Sequence, residues 1–140
     1  GHNFLPGYGL NEKRIKVKYN YKFTSQQFIS GKGLENLYML ETNSKKNAQQ
    51  ILNDAKNKKF ILSFKDRLAR SLASLINIID PDIIIFGGGM SKEIKNLEAI
   101  KKIVLKYLEV KTLNTIFSHP AHGDASGVRG AAFLVRDNFI

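Results

Sequence analysis

Between Pro81 and Ser91 the chain reads Pro-Asp-Ile-Ile-Ile-Phe-Gly-Gly-Gly-Met-Ser. An apolar, β-branched run enters three glycines, and a serine and a helical pattern follow. Gly87, Gly88 and Gly89 offer backbone with no Cβ, against which a ligand can lie closely. In open α/β sheets ligands bind at the carboxyl ends of the strands, where this loop falls. A glycine turn that only joins strand to helix has the same sequence, so these residues alone leave both readings open. A second glycine-rich stretch runs from His122 to Phe133. There Asp124 and Ser126 suit either a phosphate contact or, better, the capping of a final helix. Asp80 and Asp82 have the look of a carboxylate pair for acid–base chemistry, yet they flank Pro81 and read better as a cap and turn. His119 and His122 flank Pro120 without a cysteine, or a glutamate at ligand spacing, so a metal role is not expected.

The elements that position these residues follow from periodicity. Alternation from Ile15 to Phe23 predicts a short β segment with one polar face. Ser30 to Leu40 predicts a helix, and Ser44 to Asn47 opens another, with Ala48, Ile51, Leu52 and Ala55 on one stripe. A break is expected near residues 57–59. Ile61, Phe64, Leu68, Leu72, Leu75, Ile76 and Ile79 then mark a long helix, which Asp80-Pro81 ends because proline disfavours helix in the residue before it. Ile83 to Phe86 reads as a strand buried on both faces, as in a parallel sheet. Ser91 is placed to cap a helix from Lys92 to Leu108, with Glu93 in its first turn. Thr115 to Ser118 reads as a second strand. A last helix is expected from Ser126 to Val135, where Gly127, Gly130, Ala131 and Ala132 permit close packing. Helices alternating with strands argue an α/β fold with a parallel pair.

The glycine loop, the His122 to Phe133 stretch and the segment Leu68 to Asp82 together resemble the ROK family of bacterial sugar kinases and sugar-responsive repressors. Gly1-His2-Asn3-Phe4-Leu5-Pro6 resembles that family's Gly-His segment, and Phe28-Ile29-Ser30-Gly31 the segment after its zinc motif. The likeness spans nearly the whole chain and is nearest to the fructokinase, mannokinase and N-acetylglucosamine kinase branch. It implies an actin-like ATPase, ribonuclease H-like α/β domain, here partial. Residues 1–140 then correspond to the C-terminal portion of a ROK-type sugar kinase. Residues 1–27 would be the remnant of the sugar and zinc-motif segment, and residues 28–140 the helical and α/β part carrying the adenosine loop.

The resemblance assigns roles residue by residue. Gly87, Gly88 and Gly89 would contact the adenosine of ATP, since a flat base and ribose need backbone free of side chains. His2 would contact a sugar hydroxyl, and it also stands where the family has a zinc ligand. The family's zinc motif, Cys-x-Cys-Gly-x-x-Gly-Cys-x-Glu, falls with its cysteines on Val17, Tyr19 and Thr24, so zinc is not expected. Its glutamate falls on Gln26, an amide that still hydrogen-bonds a sugar but brings no charge. The phosphate-binding hairpin and the catalytic base, an aspartate in an Asn-Asp pair, are expected in a missing N-terminal half, so no catalytic residue is assigned here. The implied cofactors are ATP and Mg. The implied partners are the sugar, the N-terminal half and further copies in a homo-oligomer. The isolated chain is expected to be inactive. The alternative is a non-catalytic ROK-type sugar sensor or repressor domain, which the loss of the zinc cysteines favours and the glycine loop disfavours.

Composition bounds the rest. A chain of 140 residues suits one domain with a real core. It has no cysteine, hence no disulfide framework. No apolar run approaches the ~20 residues that span a bilayer. A cytoplasmic site and no membrane partner are the simple inference. The net charge of +10 raises nucleic acid as a partner. The lysines, however, are scattered along the chain with no recognition-helix or RNA-binding signature, so that partner is not expected.

Overall fold

The computed structural model describes residues 15, 24–91, 94–121, 123 and 132, without the side chains of Ser25 and Gln26. The elements are α1 (Ser25–Ile29), α2 (Gly31–Thr42), α3 (Ala48–Asn53), a 3-10 turn (Ala55–Asn57), α4 (Lys58–Ile79), β1 (Ile83–Ile85), α5 (Leu97–Val104), a 3-10 turn (Leu105–Tyr107) and β2 (Ile116–Ser118). The helix boundaries have local causes. The Ser30 side chain accepts from the Gly33 N–H at the start of α2. Asn47 and Gln50 form a capping box at the start of α3. α3 ends at Asn53, and the Asp54 side chain accepts from the Lys56 N–H to open the 3-10 turn before α4.

α4 is the spine. Phe64, Leu68, Ala69, Leu72, Ala73 and Ile76 recur on its inner face and are buried. They meet Leu34 and Tyr38 of α2, Ile51 of α3, Phe86 after β1, and Ile100 and Val104 of α5 in one core. Each leucine, isoleucine, valine or phenylalanine among them contributes roughly 1.5–3 kcal/mol when taken out of water. Tyr38 and Phe60 meet edge to face at 5.4 Å, and Phe86 and Phe117 lie 5.4 Å apart. Arg67 is also buried on α4; it donates from Nη1 to Ser63 Oγ at 3.0 Å, and its guanidinium lies 5.5 Å from the Phe28 ring centroid. This stack ties α1 to the spine.

α4 ends as expected. Asp80 adopts the left-handed conformation (φ 47°), and its N–H returns to the Ile76 carbonyl. Pro81 follows, so Asp80 acts as cap and turn. β1 and β2 then pair in parallel, with Ile83 opposite Ile116, Ile84 opposite Phe117 and Ile85 opposite Ser118. The Phe86 N–H donates to the Ser118 carbonyl and the Ile116 N–H to the Asp82 carbonyl, which extends the pairing beyond both ends.

Three local expectations are corrected. The strand is not buried on both faces: Ile84 and Phe117 pack on the core, but Ile83, Ile85 and Ile116 are 48%, 58% and 58% exposed. Only one helical layer covers this sheet among the described residues, so one face stays open. Ser91 does not cap the next helix, because α5 starts at Leu97 and its cap is Asn96, whose side chain accepts from the Ala99 N–H. Ile15 is helical and packs with Phe28 and Leu37, not in a strand. Burial beside α1 outweighs its alternating pattern there; the rest of that segment up to Phe23 lies outside the described residues. Of the expected last helix only Ala132 is described, and it is helical.

Candidate functional site

The glycine loop leaves β1 at the carboxyl end of the parallel pair, where side chains and backbone from both strands converge. Its shape is held by three hydrogen bonds. The Ser91 N–H and the Ser91 hydroxyl both donate to the Gly88 carbonyl, at 3.0 and 2.7 Å, and the Ile94 N–H donates to the Met90 carbonyl at 3.2 Å. Ser91 is buried, so this hydroxyl bond fastens the loop from inside. Met90 turns inward to the core and lies against Gly31 at the start of α2; a Cβ on Gly31 would stand 3.1 Å from the Met90 sulfur. The loop is thereby anchored at both ends while Gly87, Gly88 and Gly89 face solvent.

The three glycines differ in what the fold asks of them. Gly88 has φ +77°, a left-handed conformation that favours glycine. Gly87 and Gly89 have no positive φ, and a Cβ built on either meets nothing within 4 Å. Turning the chain therefore requires glycine at one position of the three. At the other two the missing Cβ leaves a bare, open strip of backbone, which is what a flat ligand needs for contact.

Next to the strip lies an open slot of about 340 Å³ lined by Ser91, Lys95, His119, Pro120 and Gly123. Lys95 precedes α5, and His119 and Pro120 follow β2. The Gly123 N–H donates to the Pro120 carbonyl at 3.2 Å, closing a turn with Gly123 at φ +55°. The lining is mostly apolar surface with two side chains able to carry positive charge and, among the described residues, no carboxylate. Sequence reasoning weighed His119 only as a metal ligand and passed over Lys95. The available signal was the position of His119 immediately after the second parallel strand, the counterpart of Gly87 after the first.

The sugar-side candidates are spread differently. Gln26 lies in α1 and only its backbone is described. His2, Val17 and Tyr19 lie outside the described residues, as do His122, Asp124 and Ser126. Thr24, at a position of the family's zinc motif, is buried and donates its hydroxyl to Gln27 Oε1 at 2.9 Å. Its hydroxyl is engaged with a side chain in the first turn of α1 and does not cap the helix backbone. Among the described residues no three His, Cys, Asp or Glu side chains come together as a metal site, and no helix is long and apolar enough to cross a membrane.

A helical spine, a parallel strand pair and a glycine loop opening at its carboxyl end define this chain as part of an actin-like ATPase fold. The same shape occurs in a ROK hexokinase from Thermus thermophilus, with a TM-score of 0.67 over 81% of this chain and 40% of that one at 20% sequence identity. The ROK family model matches residues 24–138. The chain is 35% identical to an N-acetyl-D-glucosamine kinase of Photobacterium profundum, over 96% of this chain and 48% of that protein. It is 31% identical to the N-acetyl-D-glucosamine kinase of Pectobacterium carotovorum, over 96% and 47%. The chain belongs to the ROK family, and it spans about half the length of the curated relatives it matches.

Proposed function

We propose that this chain is the C-terminal half of an ATP-dependent hexose kinase and that Gly87, Gly88 and Gly89 form the strip on which adenosine lies. The observation that supports this most directly is the open space above Gly87 and Gly89 at the carboxyl end of the strand pair. A loop serving only to turn the chain needs glycine at Gly88 alone. In this reading the γ-phosphoryl group of Mg-ATP passes to a sugar hydroxyl in a cleft that excludes water. This half contributes the adenosine strip and, through His2 and Gln26, part of the sugar pocket. The phosphate hairpin and the catalytic base come from the other half. N-acetyl-D-glucosamine is the first sugar to test, because the curated relatives act on it.

The sensor alternative draws on one observation, that Val17, Tyr19 and Thr24 replace the family's zinc cysteines. It predicts sugar binding without nucleotide binding. Calorimetric titration of ADP and ATP into the chain separates the two. Saturable binding supports the kinase half, and sugar-dependent ATP consumption by the isolated chain would show that the division of labour proposed here is wrong.

A further inference from the structure

The slot beside the glycine strip carries more information than the strip alone. Its described lining brings Lys95, from the segment before α5, and His119, from the end of β2, to one opening. Both are exposed, both are held at the rim by short connections to ordered elements, and no described carboxylate lines the slot to neutralise them. Three other described cations do have a carboxylate partner: Lys32 pairs with Glu35, Lys46 with Asp54 and Arg70 with Asp66. The Ser91 hydroxyl in the same lining already donates its proton to the Gly88 carbonyl, so it can only accept from a ligand. Donor capacity in the described lining is thus concentrated on Lys95 and His119.

We propose that Lys95 and His119 are phosphate-binding, specificity-determining residues of this slot, which make it select nucleoside polyphosphates over the bare nucleoside. This deepens the nucleotide reading of the glycine strip and rests on it. The recognised chemistry is a phosphate chain, either tethered to a base or free as pyrophosphate. Charge-assisted hydrogen bonds to it are stronger than neutral ones, and hydrogen bonds from these two exposed side chains give a preference of roughly tenfold or more over the uncharged nucleoside.

The test is calorimetry on the full chain with adenosine, ADP and inorganic pyrophosphate, for wild type, Lys95→Met and His119→Asn. The expected result is that ADP binds at least tenfold more tightly than adenosine, and that each substitution lowers ADP affinity severalfold while adenosine affinity is unchanged. The unchanged adenosine affinity shows that the slot is still folded. Pyrophosphate binding that weakens in Lys95→Met shows that the cations hold a free phosphate chain too. Its absence beside tight ADP binding shows that they act only on a tethered one. Equal affinity for adenosine and ADP overturns the proposal and leaves the adenosine strip intact. Loss of adenosine and ADP together in Lys95→Met or His119→Asn overturns it as well, since the residue then supports the fold and not the phosphate. Wild type that binds none of the three overturns both the proposal and the strip.

Discussion

Gly89→Ala separates the two meanings of the glycine loop. In the structure a Cβ at Gly89 meets no atom within 4 Å, and the residue has no positive φ. Alanine there narrows the unfolded ensemble without native strain and stabilises the chain by about 0.4–1 kcal/mol. Gly87→Ala follows the same argument. Gly88→Ala does not: at φ +77° its side chain is strained, and the substitution costs roughly 1–2 kcal/mol. A ligand lying on the strip sees the opposite order of importance. A methyl on Gly87 or Gly89 lifts a flat ring off backbone it would otherwise touch at about 3.5–4.0 Å, and the contact is largely forfeited. We expect ADP affinity to fall tenfold or more in Gly89→Ala, equivalent to about 1.4 kcal/mol, while the melting temperature holds or rises. The assay is paired calorimetry and thermal unfolding on the same preparations. Gly87→Ala and Gly89→Ala proteins that bind ADP like the wild type would show that the glycines only turn the chain. A Gly89→Ala protein that loses binding but also melts several degrees lower would refute the geometry on which the prediction rests. Gly88 is the poorest probe of the three, because its substitution disturbs fold and ligand together.

The exposed isoleucine face predicts a solubility effect. Ile116→Lys places a charge where the side chain is already 58% exposed, so thermal stability should move little, while sedimentation velocity should show less self-association. A large drop in melting temperature would mean that the face is covered in solution. The Lys46–Asp54 pair predicts a pH effect of definite sign. The hydrogen bond from Lys46, followed by that from the Lys56 N–H, holds the Asp54 carboxyl below its ordinary value, and the same pair raises Lys46. A depressed carboxylate contributes stability above its unfolded pKa of about 4, and loses it as pH falls through the folded value. The difference in melting temperature between wild type and Asp54→Asn should therefore be constant above about pH 5 and close below pH 4. A difference that persists unchanged at low pH would assign the effect to altered geometry around residue 54, not to the charge, since asparagine can still accept from the Lys56 N–H. The pair is only half-buried, so the effect should be small and should shrink further in high salt.

What could be read from the sequence was what depends on neighbours along the chain. The stripe from Phe64 to Ile76 defined the spine, and Asp80-Pro81 fixed its end because proline and a left-handed cap act within a few residues. The helix that begins at Ser30 and the parallel pair were likewise visible. What could not be read was set by packing across the fold. Ile15 alternates with polar neighbours as a strand residue does, yet it is helical because Phe28 and Leu37 bury it. Ser91 has the right residue type and position to cap a helix, but the Gly88 carbonyl claims its hydroxyl, and Asn96 caps α5 instead. An all-isoleucine strand reads as doubly buried, since its composition records the surroundings it needs and not how many layers this chain supplies. The site divides along the same line. The glycine strip is contiguous in sequence and was legible. Lys95 and His119 reach one slot from segments flanking different elements, and no local pattern links them. On the reading proposed here, the strip reports the class of ligand, and Lys95 and His119 report which member of that class the site prefers.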